Sequence, residues 1–517
     1  MKKFLIYIAI ALFSFGCSEE FLTLEDPTNI AEDNFWKSAN DARLGINGIY
    51  TVLQANGMYG GHLNGGLGMP AYDCLSDNEY NAWKWEGGGI FVVGSIDPSH
   101  WFFSGLWSDL YKGIVRSNSA IKNIGMMDET VISEEDKNNY LGQAYFLRAL
   151  FYYHVALYFE EAPLITEPQT LEEAYVAKNT EDELWQQVFD DLDKAIDILP
   201  LPADQDEKEY GYATKGAALG LLSRVALYRE QHSDVLEATR ELLTLGYGLD
   251  PDYETLFTYD GENSNEIVFP VKFLYGDLYS NGEKFSATYL PKPKVDVQPM
   301  PNMVNDYYCN DGLPIDDPAS IYNPADPKEN RDPRAIASVY FKGDIFLKDP
   351  EKIFAGNTNT KFGLKKYVRD DVDVYERAVF EAGSQDFYLI RYADVLLMRA
   401  EALIETGEVG QEVYSLINDV RQRVNMPTVE SVEGAGLSQD QLREIVRHER
   451  RVELAFEGLR FYDLKRWGEM EEGYNRIAAD AVKGYVPLYQ GEKSEVFAIP
   501  QEEIDVNKNL VQHPAWQ

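Results

Sequence analysis

The chain has 517 residues, with 47 Lys and Arg against 86 Asp and Glu, a formal charge of −39. With 45% hydrophobic and 26% charged residues it has the composition of a folded protein and not of a disordered one. An acidic excess of this size excludes nucleic acid as the main partner, because binding phosphate needs a concentrated basic surface, and it disfavours adhesion to anionic lipid headgroups.

The first residues read as a targeting segment. Met1-Lys2-Lys3 is a short basic start, and Phe4 to Phe15 is an apolar run broken only by Ser14. At about a dozen residues the run falls short of the ~20 that a helix needs to span a bilayer, so it reads as a secretory leader. The run ends in Ser14-Phe15-Gly16-Cys17. A cysteine directly after a small residue at this place resembles a bacterial lipoprotein cleavage site, with residues 1–16 removed and Cys17 becoming the lipidated N-terminus. Ser18-Glu19-Glu20 follows, and such an acidic run resembles the surface-export signal of Bacteroidetes-type lipoproteins. No later stretch reaches 18 apolar residues, which predicts a chain anchored to the membrane and not spanning it.

The mature chain is expected to be mainly α. Apolar residues recur every three or four positions over Asp41 to Gln54, Trp107 to Ile124, Asp136 to Phe159, Thr214 to Arg229 and Asp234 to Leu245. Thr180-Glu181-Asp182-Glu183 is a capping box that opens a helix carrying Leu184, Val188, Leu192 and Ile196, stopped by Pro200 and Pro202. The same period returns over Asp386 to Glu405 and Val413 to Val424. A second capping box, Ser438 to Gln441, opens a helix running to Phe456. Helix pairs of similar length with short turns, such as Leu221–Tyr228 with Val235–Leu245, predict a tetratricopeptide-like scaffold. Long loop-rich excursions with a few short strands interrupt it. Gly57 to His100 is rich in Gly, Asn and aromatics, and residues 251–385 are rich in Pro, Gly, Asp and Tyr, with strand-like runs at Ile267–Phe269 and Ile336–Tyr340. The expected organisation is one domain over 17–517, comprising an N-terminal helical half (17–250), a loop-rich excursion (251–385) and a C-terminal helical part (386–517).

Catalytic signatures are missing from the sequence. The six histidines form no metal-ligand spacing, and His154, in Phe151-Tyr152-Tyr153-His154-Val155, reads as a packed helix residue. There is no G-x-S-x-G elbow and no phosphate loop; Gly87-Gly88-Gly89 leads into the strand-like Ile90–Val93 and reads as a flexible loop. Asp260 to Glu266 is oxygen-rich but lacks the order of a calcium loop, and reads as a solvated turn. No enzyme activity, cofactor or metal is expected.

Aromatic residues carry the functional signal. The chain has 34 tyrosines, 25 phenylalanines and 8 tryptophans; those on helices read as packing, Trp101 and Trp107 among them. Trp83 and Trp85, two apart between Gly-rich stretches, differ. On an extended segment both rings would face one side, offering flat apolar surfaces to a sugar while Asp77, Asn78, Asn81 and Lys84 bond its hydroxyls. Phe273, Tyr275 and Tyr279 form a second loop cluster. The candidate ligand-binding residues are therefore Trp83, Trp85, Asp77, Asn78, Asn81, Tyr275 and Tyr279.

Several motifs resemble the SusD/RagB family of outer-membrane lipoproteins. They are Glu449-Arg450-Arg451-Val452-Glu453-Leu454, Glu457-Gly458-Leu459-Arg460-Phe461-Tyr462-Asp463-Leu464-Lys465-Arg466-Trp467-Gly468, Arg391-Tyr392-Ala393-Asp394-Val395-Leu396-Leu397-Met398-Arg399-Ala400-Glu401-Ala402, and the closing Ile499-Pro500-Gln501-Glu502-Glu503-Ile504-Asp505. Gln143 to Ala149 and Arg331-Asp332-Pro333-Arg334 add to the match. Their interleaved acids and bases read as scaffold. Arg450 and Glu453, three apart, are placed to pair on one helix face, and Glu457 and Arg460 to pair across elements. The resemblance implies a non-catalytic lid on a SusC-like TonB-dependent transporter, which captures oligosaccharide at the cell surface and delivers it to the channel. A peptide cargo is the alternative, and a glycoside hydrolase a more distant one. Loss of the leader removes Lys2 and Lys3 and no acid, so the mature chain is more acidic still and its expected ligand is uncharged.

Overall fold

The computed structural model describes residues 35–517 apart from 62–66, 171, 277–278, 287–295, 347–348, 358 and 369–381. The leader, Cys17 and the acidic run after it lie outside the described residues. Among those described, no helix is long and apolar enough to cross a membrane.

The expected helices form, with caps that explain their starts. Helix α1 (Ala39–Leu53) begins where Ser38 accepts from the Asp41 N–H, and α2 is the short Gly88–Val92. Helices α3 (Trp101–Gly125) and α4 (Glu134–Phe159) pack together, and α4 also packs on α5 (Glu181–Ile198). Both capping boxes are made, by Thr180 with Glu183 and by Ser438 with Gln441. The second half of α4 is buried nearly all round, from Gly142 to Phe159 with only Tyr145 partly open. A helix apolar on every side is a central element, and α4 is the axis of the N-terminal half.

Helix α6 (Lys215–Tyr228) pairs with α7 (His232–Leu242), and α8 (Tyr392–Glu405) with α9 (Gln411–Arg423). Contact between α7 and α8 joins the two pairs although some 150 residues separate them in the chain, as a tetratricopeptide-like stack requires. Helices α10 (Gln439–Glu453), α11 (Arg460–Trp467) and α12 (Met470–Ala479) complete the C-terminal part.

The strands are short and, among the described residues, form four antiparallel pairs. Strand β1 (Glu79–Asn81) pairs with β5 (Val297–Pro299), β2 (Ile267–Val271) with β8 (Phe387–Arg391), β3 (Leu274–Gly276) with β4 (Tyr279–Asn281), and β6 (Val339–Tyr340) with β7 (Gly363–Leu364). Three elements differ from expectation. Asp386 to Glu405 is not one helix: Phe387–Arg391 is a strand, because β2 supplies a partner edge and Asp386 accepts from the Phe273 N–H at 2.9 Å. Ile336 to Tyr340 is mostly the end of a helical turn, Pro333–Ser338, which Asp332 caps. Residues 90–92 are helical and not strand-like. Gly87 enters that turn at φ +110°, where a Cβ would lie 2.3 Å from the Phe102 ring, and Asn81 Oδ1 accepts from the Gly89 N–H at 3.1 Å.

One apolar core runs through both helical parts, from Ala42 to Leu510. The C-terminal segment penetrates it. Phe497 stacks on Tyr158 at 4.7 Å and meets Phe91, Phe102 and Phe103 within 5.4 Å, while its N–H donates to the Tyr158 carbonyl at 2.6 Å. His154 donates or accepts at Tyr59 Oη, 2.7 Å away, as a packed helix residue.

The interleaved charges lie inside this body. Glu453, with no exposed surface, faces Arg391 at 2.6 Å, Arg334 at 3.0 Å and Arg423. Arg391 reaches on to Glu266 at 2.8 Å and Glu457 at 2.7 Å, and Lys366 meets Glu457 at 2.6 Å. Arg450 does not pair with Glu453, because the two leave α10 in different directions: Arg450 bonds Asp394 at 2.9 Å and Asp463 at 3.3 Å. Glu457 and Arg460 each pair across elements, though not with one another; Arg460 reaches Asp77 at 2.9 Å.

Removing one member of such a buried set leaves uncompensated charge. Glu453→Gln is therefore expected to destabilise the fold by about 3–5 kcal/mol, read as a lowered midpoint of urea unfolding. Acid should act on the same body. Burial alone would raise the Asp394 and Glu401 carboxyls, but Arg224 and Arg450 at the first and Arg466 and Arg450 at the second outweigh it and hold both at about 2. Burial, then Arg224, pushes His154 down to about 3. All three bind protons more readily in the unfolded chain, so stability falls as the pH falls. Glu262, held up at about 7, works the other way above about pH 4.5, so the loss should show below about 4, which urea midpoints measured from pH 7 to pH 3 will register.

Candidate ligand-binding face

The segment from Asp73 to Trp101 divides into a buried base and an exposed edge. Asp77 is fully buried, with Arg460 at 2.9 Å, Arg451 at 3.1 Å and Arg476 also in contact. Burial would raise its carboxyl, but Arg451 and Arg460 pull it far below the usual range. Asn78 donates to Asp73 at 3.1 Å and accepts from Arg451 at 3.1 Å. Asn81 donates to Glu86 at 2.8 Å and accepts from Gly89. The polar groups expected to meet a sugar are therefore turned inward and bonded to the protein, Asp77 and Asn78 to arginines more than 370 residues away. Only the backbone of Lys84 is described.

What these inward groups do is hold a turn. Asn81 ties Glu86 and Gly89 together, and the Glu86 N–H donates to the Trp83 carbonyl at 2.9 Å, closing a 3-10 turn over Lys84–Glu86. The segment is not extended, so the alternation that would aim both rings to one side is absent. Each ring is nonetheless open to solvent: Trp83 is 49% and Trp85 47% exposed. Trp85 leans on Trp101 with centroids 6.2 Å apart and planes at 45°, and Trp101 stacks on His100 at 5.2 Å and 27°. His100 caps α3 through Nδ1, which accepts from the Phe102 N–H. Burial lowers the His100 pKa. His100 and Trp101 belong to this edge; Trp101, which the sequence suggests as packing, is only half-buried. Trp107, by contrast, is buried against Tyr111 and Phe159. The outcome is an open edge of indoles on a fixed turn.

The second cluster is split. Phe273 is buried against Phe285, while Tyr275, on β3, is 47% exposed beside Leu274 at 49%. Of Tyr279 the structure describes only the backbone, paired with Gly276.

Groups that might hold a cation are committed elsewhere. In the oxygen-rich stretch Glu266 is bound to Arg391 and Arg423, and Glu262 accepts from the Asp386 N–H at 2.9 Å, its carboxyl pushed up to about 7 by burial and then by Asp386. Glu160, Glu492 and His513 gather within 4.8 Å. His513 Nδ1 accepts from the Ala515 N–H, which puts the proton on Nε2, facing Glu160 at 3.2 Å, and Lys465 holds the other Glu160 oxygen at 2.8 Å. That imidazole is a donor to Glu160 and not a free metal ligand.

The chain has clear relatives. A model described as starch-binding, associating with outer membrane, matches residues 78–227. SusD-like protein P2 of Formosa agariphila is 26% identical, covering 99% of each chain. A crystal structure of a SusD-like carbohydrate binding protein from Bacteroides fragilis superposes with a TM-score of 0.79 at 26% identity, over 92% of this chain and all of that one. A laminarin binding SusD-like protein has the same fold, with a TM-score of 0.71 at 24% identity, over 92% of this chain and 99% of that one. The model of the SusD family itself matches residues 254–516, which hold the buried network around Glu453 and the Glu457–Gly468 motif, and the chain belongs to that family.

Proposed function

We propose that the protein is a glycan-binding lipoprotein of the cell surface, held to the outer membrane through lipid on Cys17, which captures oligosaccharide and passes it unaltered to a SusC-like TonB-dependent transporter. The observation that carries the binding part is the indole edge: two tryptophans about half exposed, one leaning on a third, on a turn fixed from beneath. Large rings left in water gain nothing for the fold, whereas their flat faces match the C–H faces of pyranose rings. Tyr275 supplies a further exposed ring, and Tyr279 is placed on the paired strand. Asp77, Asn78 and Asn81 act as positioning residues beneath the edge, so hydroxyl recognition falls to groups at its margin. Membership of the SusD family and the likeness to a carbohydrate binding protein support the same reading. The acidic surface favours an uncharged glycan here.

Isothermal titration with a panel of neutral oligosaccharides tests this. Trp83→Ala and Trp85→Ala should each weaken binding of the glycan that the wild type selects by about tenfold, roughly 1.4 kcal/mol. Equal affinity in wild type and both variants rules the edge out as the site. Peptide in mass spectra of the purified protein, with no glycan bound across the panel, selects the peptide cargo instead. Pull-down of solubilised outer membranes through a tag on this chain should recover the transporter.

A further inference from the structure

A cleft of about 500 Å³ lies over one face of α10, the face of Gln441, Glu444, Ile445, His448 and Arg451. Its volume lies within the usual range for a small-ligand site. In a chain of charge −39 its floor is basic. Arg451, Arg460 and Arg476 converge on the single carboxylate of Asp77, and Arg451 also meets Asp306 at 2.8 Å. Three guanidiniums thus share two carboxylates. Asp480 is bonded to Asn302 at 2.6 Å and not to an arginine, and Asp463, which also acts on Arg460, is bonded to Arg466 at 2.8 Å. Burial lowers the Arg451 pKa; Asp77 and then Asp306 oppose it, and Arg460 and Arg476 add to it.

The donors are also incompletely used. Arg476 spends Nε on Asp77, and among the described residues its buried Nη2 has no acceptor; Arg447 spends Nη1 on Glu469 at 2.6 Å, and its Nε likewise has none among them. A buried guanidinium N–H with no acceptor is costly, and an anion that settles the structure around it recovers that cost. Carboxylates are present as well: Glu469 is held by Arg447, and Glu433 and Glu444 lie among the lining residues. They restrict the site to a ligand whose single anionic group reaches the floor. Two walls are aromatic. Tyr308 stacks on His448 at 4.0 Å, and Trp467 is flanked by Arg447 and Arg466, each 4.8 Å from its ring.

We propose that this cleft is a second binding site, which takes the carboxylate of an acidic sugar, a uronate, on the arginine floor around Arg476, with the pyranose ring between the Tyr308 and Trp467 walls. Arginine presents planar paired donors that suit a carboxylate, and a cleft among low-dielectric walls focuses its field. The site is independent of the indole edge and carries the opposite charge preference.

The test is titration of the full mature chain with glucuronate, glucose and inorganic phosphate, followed by saturation-transfer NMR. Glucuronate alone should bind, its affinity falling as salt is raised. Arg447→Gln, which leaves the Asp77 cluster intact, should weaken it at least tenfold while melting as the wild type does, Arg476→Gln should weaken it at least tenfold, and Trp83→Ala should leave it unchanged. Glucose binding as tightly as glucuronate, or phosphate binding in its place, overturns the proposal. So does undiminished glucuronate binding in both folded arginine variants. Loss of glucuronate binding in Trp83→Ala overturns the independence of the two sites and leaves the arginine result to stand or fall alone.

Discussion

Glu453 is a carboxylate with no access to water, and the C-terminal part of the molecule is arranged around its needs. An isolated buried charge of this kind would be prohibitively unfavourable. Three guanidiniums therefore converge on it, from the Pro333–Ser338 turn, from β8 and from α9. Each comes from a different segment, so the carboxylate fixes where three elements meet at once. Arg391 passes the constraint on to Glu266 and Glu457, and Glu457 to Lys366. The loop-rich excursion is clamped to the helices by charge, where a larger apolar layer would do the same work in a simpler fold. Such a network adds little net stability compared with an apolar core, but it tolerates one geometry only.

The same motif reaches the N-terminal loop. Asp73 accepts from the backbone N–H of Phe456 at 2.8 Å and of Arg460 at 3.0 Å. Phe456 and Gly458 hold left-handed conformations, at φ +67° and +74°, which turn those N–H groups toward it. Asp77 then takes the arginine side chains. The turn bearing Trp83 and Trp85 stands on this base, so its rings sit on a rigid support rather than on a free loop. One stretch of the family motif thus orders both the edge offered to glycan and the floor of the arginine cleft.

How far this was legible in the sequence depends on the range of each interaction. The capping boxes at Thr180 and Ser438 close within four residues, and both are made. Helix periods were equally local, and the family motifs carried the fold. Where a partner lies far along the chain, the local sequence carries no sign of it. Asp77 and Asn78 look like surface polar groups beside tryptophans, and nothing near them announces Arg451, Arg460 or Arg476; Asn81 turns inward to nearer partners, Glu86 and Gly89, across a turn that its period does not show. The boundary between β8 and α8 was hidden for the same reason, since Phe387–Arg391 is a strand only because Ile267–Val271 lies beside it. The exposure of Trp83 and Trp85 was anticipated from their Gly-rich setting, but the turn that shapes them was not.

Phe497 gives the architecture a direction in time. Its ring fills the meeting point of Tyr158, Phe91, Phe102 and Phe103, all from the first third of the chain, and Trp516 packs on Phe103 and donates to the Val496 carbonyl at 3.0 Å. The N-terminal helices cannot complete their own interior until the last twenty or so residues arrive. Piecewise folding from the N-terminus is thereby denied a finished product: a chain interrupted anywhere before Phe497 keeps an open aromatic hollow. The segment around Phe497 is the stopper of the fold, and the N-terminal helices are sealed from the far side of the sequence.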